Sequence, residues 1–315
     1  MKIRKILIGL SISILSTVSI LDIWNIDKVK AESVIDTNSI NNWKPDDNRT
    51  CLIVDTDAAL DDLRAFVVLV PHRAIKAVVV TEGISSVERG TTAIALYLAA
   101  ANPTVPILQG NATTLPPNYD WLPAVRAANE RLNGFLASAV PTKASKTNIA
   151  DRVRYATKDC KEIEVLALGP WTSFVQYAPQ LAGRLKRVIA SGRPIQETTP
   201  ENFNCEYDIA SCRQASEILY NVREAIWIDL PTDLSVNPSY APTTKMINAL
   251  PTTGLPGLLR ALLNLDPSQW LTTRMWDDSA ALYILYPTSF VVRAAHLEPI
   301  INEVKLRNLW LDAVK

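Results

Sequence analysis

The chain has 315 residues, 48% of them hydrophobic, enough for a sizeable buried core in one large domain or two small ones. Its 32 basic and 32 acidic residues cancel, so no excess of positive charge points to a nucleic-acid partner. Four cysteines with no CxxC pair argue against a thiolate zinc site.

Residues 1–31 read as a signal peptide. Lys2, Arg4 and Lys5 give a basic start. The stretch 6–21 (ILIGLSISILSTVSIL) is apolar but short for a membrane span, and Ala31 ends a segment with small residues at a cleavage position. A secreted or periplasmic location follows, with an uncleaved N-terminal membrane anchor as the alternative. Residues 32–48 are polar and without periodicity, a flexible lead-in. Residues 49–315 read as a single domain. Export permits disulfides. Cys51, Cys160, Cys205 and Cys212 allow three pairings, and sequence does not choose among them. Cys51 and Cys160 both fall at the amino ends of predicted strands, so they meet if those strands are neighbours.

Short β-branched runs then alternate with helix-like segments. Strands are predicted at CLIVDT (51–56), KAVVVT (76–81), VPILQG (105–110), EIEVLALG (162–169), LKRVIAS (185–191) and EAIWIDL (224–230). Their continuous apolar character suits a parallel sheet buried on both faces. Leu63, Phe66, Val67 and Val70 repeat with the spacing of an amphipathic helix, and DIASCRQASEILYN (208–221) behaves likewise. Strand, helix, strand in sequence predicts an α/β fold, a mainly parallel open sheet flanked by helices.

Acidic chemistry concentrates in IVDTDAALDD (53–62). Asp55 and Asp57 stand at the end of the first strand, Asp61 and Asp62 at the start of the first helix. In open parallel sheets, ligands bind beyond the carboxyl ends of the strands. The helix dipole favours negative charge at Asp61 and Asp62 but offsets only part of the repulsion. A hard cation, Ca²⁺ or Mg²⁺, would offset much more. The plain alternative is an acidic turn whose aspartates cap the helix. Two other acidic motifs fail. An aspartyl-phosphate phosphatase usually has Thr or Val where Ala59 stands. An EF-hand loop counted from Asp57 needs Gly where Asp62 stands and Glu where Val68 stands.

LIVDTDAALDDLRAFVVLV (52–70) resembles the opening signature of the inosine-uridine-type nucleoside hydrolases, Asp-Thr-Asp-Pro-Gly-x-Asp-Asp before an apolar helix. Further segments resemble family motifs in order: AVVVTEGISSVERGTTAIAL (77–96), VLALGPWTSFV (165–175), ENFNCEYD (201–208), IDLPTDLS (228–235) and WDDSAALYIL (276–285), the last similar to His-Asp-x-x-Ala. The resemblance covers about residues 50–290. It implies a parallel α/β fold and Ca²⁺-dependent hydrolysis of the N-glycosidic bond of ribonucleosides.

By the same resemblance, Asp57, Asp62 and Asp277 would ligate the ion together with the carbonyl of Leu168. Asp57 would also be the general base toward a water. Asp61 would reach a ribose hydroxyl, Asn204 would bind the sugar, and Gln196 and Asn202 fall at further sugar-contact positions. Trp276 replaces a His that acts on the leaving base. It resembles the purine-preferring branch, where indoles stack on the base; the other reading is a core aromatic at a helix start. Trp121, in NYDWLP, lies where the family places a base-contacting loop. The chain's two histidines, His72 and His296, sit in no motif, so a histidine general acid is not expected.

Departures fall mostly on sugar contacts. Ala58-Ala59 replaces Pro-Gly, so the bend must form without glycine. Ile84 stands where the family has Asn, and Asn202 where it has Glu. Beyond residue 290 the usual C-terminal strands are expected to be reduced or replaced. The sequence therefore predicts a nucleoside hydrolase acting on purine ribonucleosides or a related N-riboside, with a homo-oligomer left open. The alternative is a metal-dependent sugar- or nucleoside-binding homologue without turnover.

Overall fold

The computed structural model describes residues 50–315 except 102–103, 114–117, 137–147, 196–202, 232–239, 268–272 and 294, with backbone alone for 132–136. The expected signal peptide and lead-in lie outside the described residues. Among those described, no helix is long and apolar enough to cross a membrane.

All six predicted strands form: β1 (Thr50–Thr56), β2 (Ile75–Val80), β3 (Ile107–Gln109), β4 (Glu162–Ala167), β5 (Leu185–Ser191) and β6 (Glu224–Ile228). A hairpin of β7 (Phe290–Arg293) and β8 (His296–Pro299) follows. It extends the β6 edge, with β8 parallel to β6 and β7 antiparallel to β8. For this region the sequence predicts C-terminal strands reduced or replaced; it locates neither strand, because runs of four residues are too short to show a pattern.

The sheet order is β3-β2-β1-β4-β5-β6-β8-β7. The chain winds from β1 outward through β2 and β3, then returns to the other side of β1 for β4, β5 and β6. Strand order therefore reverses between β1 and β4, which leaves a crevice beyond their carboxyl ends.

Alternate residues of β1 face two separate cores. Leu52 and Val54 pack with Phe66, Val80, Ile189 and Tyr283. Ile53 packs with Val79, Val165, Phe174 and Tyr177 on the other face. Each strand needs apolar side chains on both faces, which is why the runs do not alternate. The first core is covered by the helices Leu60–Leu69, Gly254–Leu265, Trp276–Leu285 and Glu303–Val314. Ile149–Ala156 and Ile209–Tyr220 cover the second.

Charges inside strands are buried in pairs. Glu164 of β4 meets Arg73 at 2.6 Å and Arg187 of β5 at 3.4 Å, and Arg187 meets Glu224 of β6 at 3.3 Å. Register sets Glu164 opposite Arg187 and Arg187 opposite Glu224, so each charge faces its opposite across the sheet.

Cys51 and Cys160 form a disulfide at the amino end of the β1–β4 pair, away from the crevice, with Cα atoms 5.8 Å apart. This is the pairing that neighbouring strands permit. A second disulfide, Cys205–Cys212, ties the turn Phe203–Glu206 to the helix Ile209–Tyr220.

Candidate active site

β1 ends at Thr56, and the chain must turn at once into the helix Leu60–Leu69. It does so without glycine: Ala58 adopts a left-handed φ of 57°. That conformation costs a non-glycine residue about 1–2 kcal/mol and must be held by its surroundings. The Ala58 N–H donates to Thr56 Oγ1 at 3.0 Å, and the Ala58 carbonyl accepts from Asn129 Nδ2 at 2.9 Å. Asp62 closes the turn by accepting from the Ala59 N–H at 3.0 Å and from the Thr56 hydroxyl.

Asp57 leaves this turn into the crevice, and the loops after β2 and β4 press on it from both sides. A Cβ added to Gly83 would lie 2.1 Å from Asp57 Oδ2, and one added to Gly169 would lie 2.9 Å from the Asp57 nitrogen. Only glycine fits at either place. The Ile84 N–H donates to Asp57 Oδ2 at 2.8 Å. The Ile84 side chain carries no hydrogen-bonding group, yet its backbone N–H holds Asp57.

The late aspartate arrives from the other end of the chain. Asp277 lies in the first turn of the helix Trp276–Leu285. Asp61, Asp62 and Asp277 present carboxylate oxygens that lie within 4.8 Å of one another, all buried. Asp57 lies beside Asp62, close enough for each to shift the other, and Ser191 at the end of β5 favours the ionised form of Asp277. Asp61, expected at a ribose hydroxyl, thus shares the cluster with two of the expected ligands. The Leu168 N–H donates to the Asp55 carbonyl at 2.8 Å, which places Leu168 beside the end of β1. Its own carbonyl accepts from Asn204 Nδ2 at 2.9 Å. A carbonyl has two lone pairs, so one remains for a cation.

Burial raises every carboxyl in this cluster. Asp61 is pushed up to about 7, chiefly by burial; Arg64 opposes the rise, and Asp278 and Asp57 add to it. Burial also raises Asp57, while the Ile84 N–H moderates the shift. Asp62 and Asp277 rise well above the carboxylate range, from burial first and neighbouring aspartates second. Buried, mutually repelling oxygen donors with too little positive charge around them are a set that fits a hard divalent cation in place of protons.

Asp55 serves differently. It accepts from Thr81 Oγ1 at 2.6 Å and from the Tyr177 hydroxyl at 3.1 Å, and burial pushes it up to about 7. It braces the strand ends beneath the cluster.

Aromatic rings flank the acidic centre. Trp276 is 36% exposed, with the Arg274 guanidinium 5.6 Å from its ring centre. Trp121 is 47% exposed and stacks on Tyr119 at 5.2 Å and Phe203 at 5.6 Å. Phe203 meets Tyr207 edge-on at 5.0 Å, and the Asp57 charge helps to raise the Tyr207 hydroxyl, after burial. Trp121 is therefore one ring of a cluster that reaches back toward Asp57. Gln196 and Asn202 lie outside the described residues. His72 bonds the Ala313 carbonyl and His296 bonds Glu298, so neither enters the hydrogen bonds of the aspartates.

Sequence reasoning passed over Arg126, Arg64 and Asp278. Arg126 donates to the Gly83 carbonyl and pairs with Glu82 at 3.6 Å, supporting the loop that presses on Asp57. Arg64 and Asp278 form a buried pair behind the cluster. An arginine in an otherwise apolar helix face and a doubled aspartate were the available signals.

The family model described as inosine-uridine preferring nucleoside hydrolase matches residues 52–298. Among solved structures, an inosine-guanosine nucleoside hydrolase is similar with a TM-score of 0.61 and 15% identity, covering 84% of this chain and 98% of its own. A purine-preferring ribonucleoside hydrolase from Gardnerella vaginalis gives 0.58 and 14%, covering 84% and 98%. The type III effector protein XopQ, complexed with adenosine diphosphate ribose, gives 0.60 and 12%, covering 90% and 96%. At these identities the likeness is one of fold. No curated protein matches the sequence.

Proposed function

The chain belongs to the inosine-uridine preferring nucleoside hydrolase family, and we propose that it hydrolyses the N-glycosidic bond of ribonucleosides, purine ribonucleosides foremost, with Ca²⁺ as cofactor. The observation that carries this reading is the buried meeting of Asp61, Asp62 and Asp277, with Asp57 beside Asp62, beyond the carboxyl ends of β1 and β4.

Asp57, Asp62, Asp277 and the Leu168 carbonyl would hold the ion. Ca²⁺ takes about six to eight oxygens, so sugar hydroxyls and water would complete the set. When bound, it supplies positive charge that eases deprotonation of a water and orients the sugar's vicinal hydroxyls. Asp57 accepts that water's proton as the water oxygen bonds to the anomeric carbon. Gly83, Gly169 and the Ile84 N–H fix Asp57 before substrate arrives. A base already protonated from solvent takes the C–N electron pair as it leaves, and Asp57 then returns the water's proton to solvent. Positive charge grows on the sugar ring meanwhile, and the surrounding carboxylates stabilise it.

With both histidines bonded elsewhere, a purine that is protonated before it leaves suits this site. Trp276 would stack on it, worth about 1–3 kcal/mol, with Trp121 and its ring partners as a second aromatic contact. Asp61 and Asn204 would meet the sugar. Two disulfides and the segment 1–31 support a location outside the cytoplasm.

A second reading, binding without turnover, is favoured by Ile84, whose side chain has no group for a sugar hydroxyl. Chromatography of purine and pyrimidine ribonucleosides incubated with the Ca²⁺-loaded protein separates the two. Free purine supports hydrolysis. Nucleoside binding seen by calorimetry with no free base supports the second reading.

A further inference from the structure

We infer that Arg64 and Asp278 form a positioning clamp that sets Asp277 and Trp276 against Asp61 and Asp62; this rests on the reading of those aspartates as cation ligands. Arg64 follows Asp62 by two residues on the helix Leu60–Leu69, and Asp278 directly follows Asp277 on the helix Trp276–Leu285. Both side chains are 0% exposed. Arg64 Nε donates to both Asp278 carboxylate oxygens at 3.0 Å, and Nη2 donates to Oδ2 at 2.8 Å. The same Nη2 donates to the Arg274 carbonyl at 2.8 Å and the Thr273 carbonyl at 3.3 Å. One planar guanidinium thus grips the segment leading into Trp276 and the residue just past Asp277.

Stability alone does not account for this pair. A buried ion pair is often no better for folding than apolar residues of the same volume. What the fork adds is direction, because a guanidinium meets a carboxylate and two carbonyls in one arrangement only. A leucine pair could hold the helices together while they slide. Arg64 also brings a positive charge close to Asp61 and Asp277. The opening motif continues into an apolar helix, and the late motif leaves the Asp278 position open. The clamp is thus a feature of this chain and not of the motifs.

Two variants of the full chain separate positioning from folding. Arg64→Leu/Asp278→Leu removes both charges and orphans neither; Arg64→Lys keeps the charge and loses the fork. Each metal-free protein is titrated with Ca²⁺ by calorimetry, and its Tm is measured in chelator. The double variant should melt within a few degrees of wild type yet bind Ca²⁺ at least ten-fold more weakly. Arg64→Lys should lose a smaller but measurable part of the affinity, and it decides the matter if the double variant does not fold. Wild-type Ca²⁺ affinity in either variant would overturn the clamp. A wild-type protein that binds no Ca²⁺ would overturn the ligand reading, and the clamp with it.

Discussion

The carboxylates of Asp62 and Asp277 come within 4.8 Å of each other, although one follows the first strand and the other begins a helix late in the chain. Two buried like charges at that distance repel strongly, so their meeting needs protons or a cation.

Ca²⁺ should therefore stabilise the fold. An ion bound only by the native state at 100 times its Kd adds about 2.7 kcal/mol, roughly 5–10 °C in Tm for a domain of this size. Asp62→Ala should abolish the shift in scanning calorimetry. A full shift in that variant would remove Asp62 from the ligand set.

The metal-free protein should lose stability as pH rises. Asp55 and Asp61 are pushed up to about 7 in the fold, against 3.8 for the free side chain. A carboxyl with a raised value binds its proton more tightly folded than unfolded. Its contribution is complete below pH 3.8 and is lost as pH climbs to about 7. In chelator, Tm should fall between pH 5 and pH 7.5 by several degrees. Saturating Ca²⁺ should flatten that slope, because the ion favours the ionised forms. Identical slopes with and without Ca²⁺ would show that the cluster does not bind it.

Legibility followed sequence distance. Each strand from β1 to β6 could be read because burial on both faces writes itself as a mostly apolar, β-branched run. Asp57, Asp61 and Asp62 could be placed because they fall within one strand end and one helix start. Asp277 became a candidate only through motif resemblance, since nothing local marks it as a partner of Asp62. The Glu164–Arg187–Glu224 ladder depends on strand register, which no single segment encodes. Ile84 reads as a loss in sequence because its side chain cannot bond a sugar. Its contribution runs through a backbone N–H that any residue carries.

Trp276→Ala should slow release of purines roughly 5- to 150-fold, the worth of one stacked base. A nitrophenyl riboside, whose leaving group needs no help, should be affected much less. Equal losses on both substrates would assign Trp276 to support of Asp277 instead.

The cysteines make a separate claim. Mass mapping of a non-reduced digest should recover Cys51 with Cys160 and Cys205 with Cys212. Replacing Cys51 and Cys160 by Ala should cost about 2–4 kcal/mol, roughly 5–15 °C in Tm. An unchanged Tm would mean that the bond adds nothing to this fold.

The central claim is that the aspartate cluster, with its cation, hydrolyses N-ribosides. The most direct test is the initial rate of free-base release from inosine by wild-type protein in Ca²⁺, after chelation, and after Ca²⁺ is restored, with Asp57→Asn in parallel. The account predicts release that stops on chelation, returns with Ca²⁺, and falls by orders of magnitude in Asp57→Asn. Release that is indifferent to the chelator, or equal in Asp57→Asn, would contradict it.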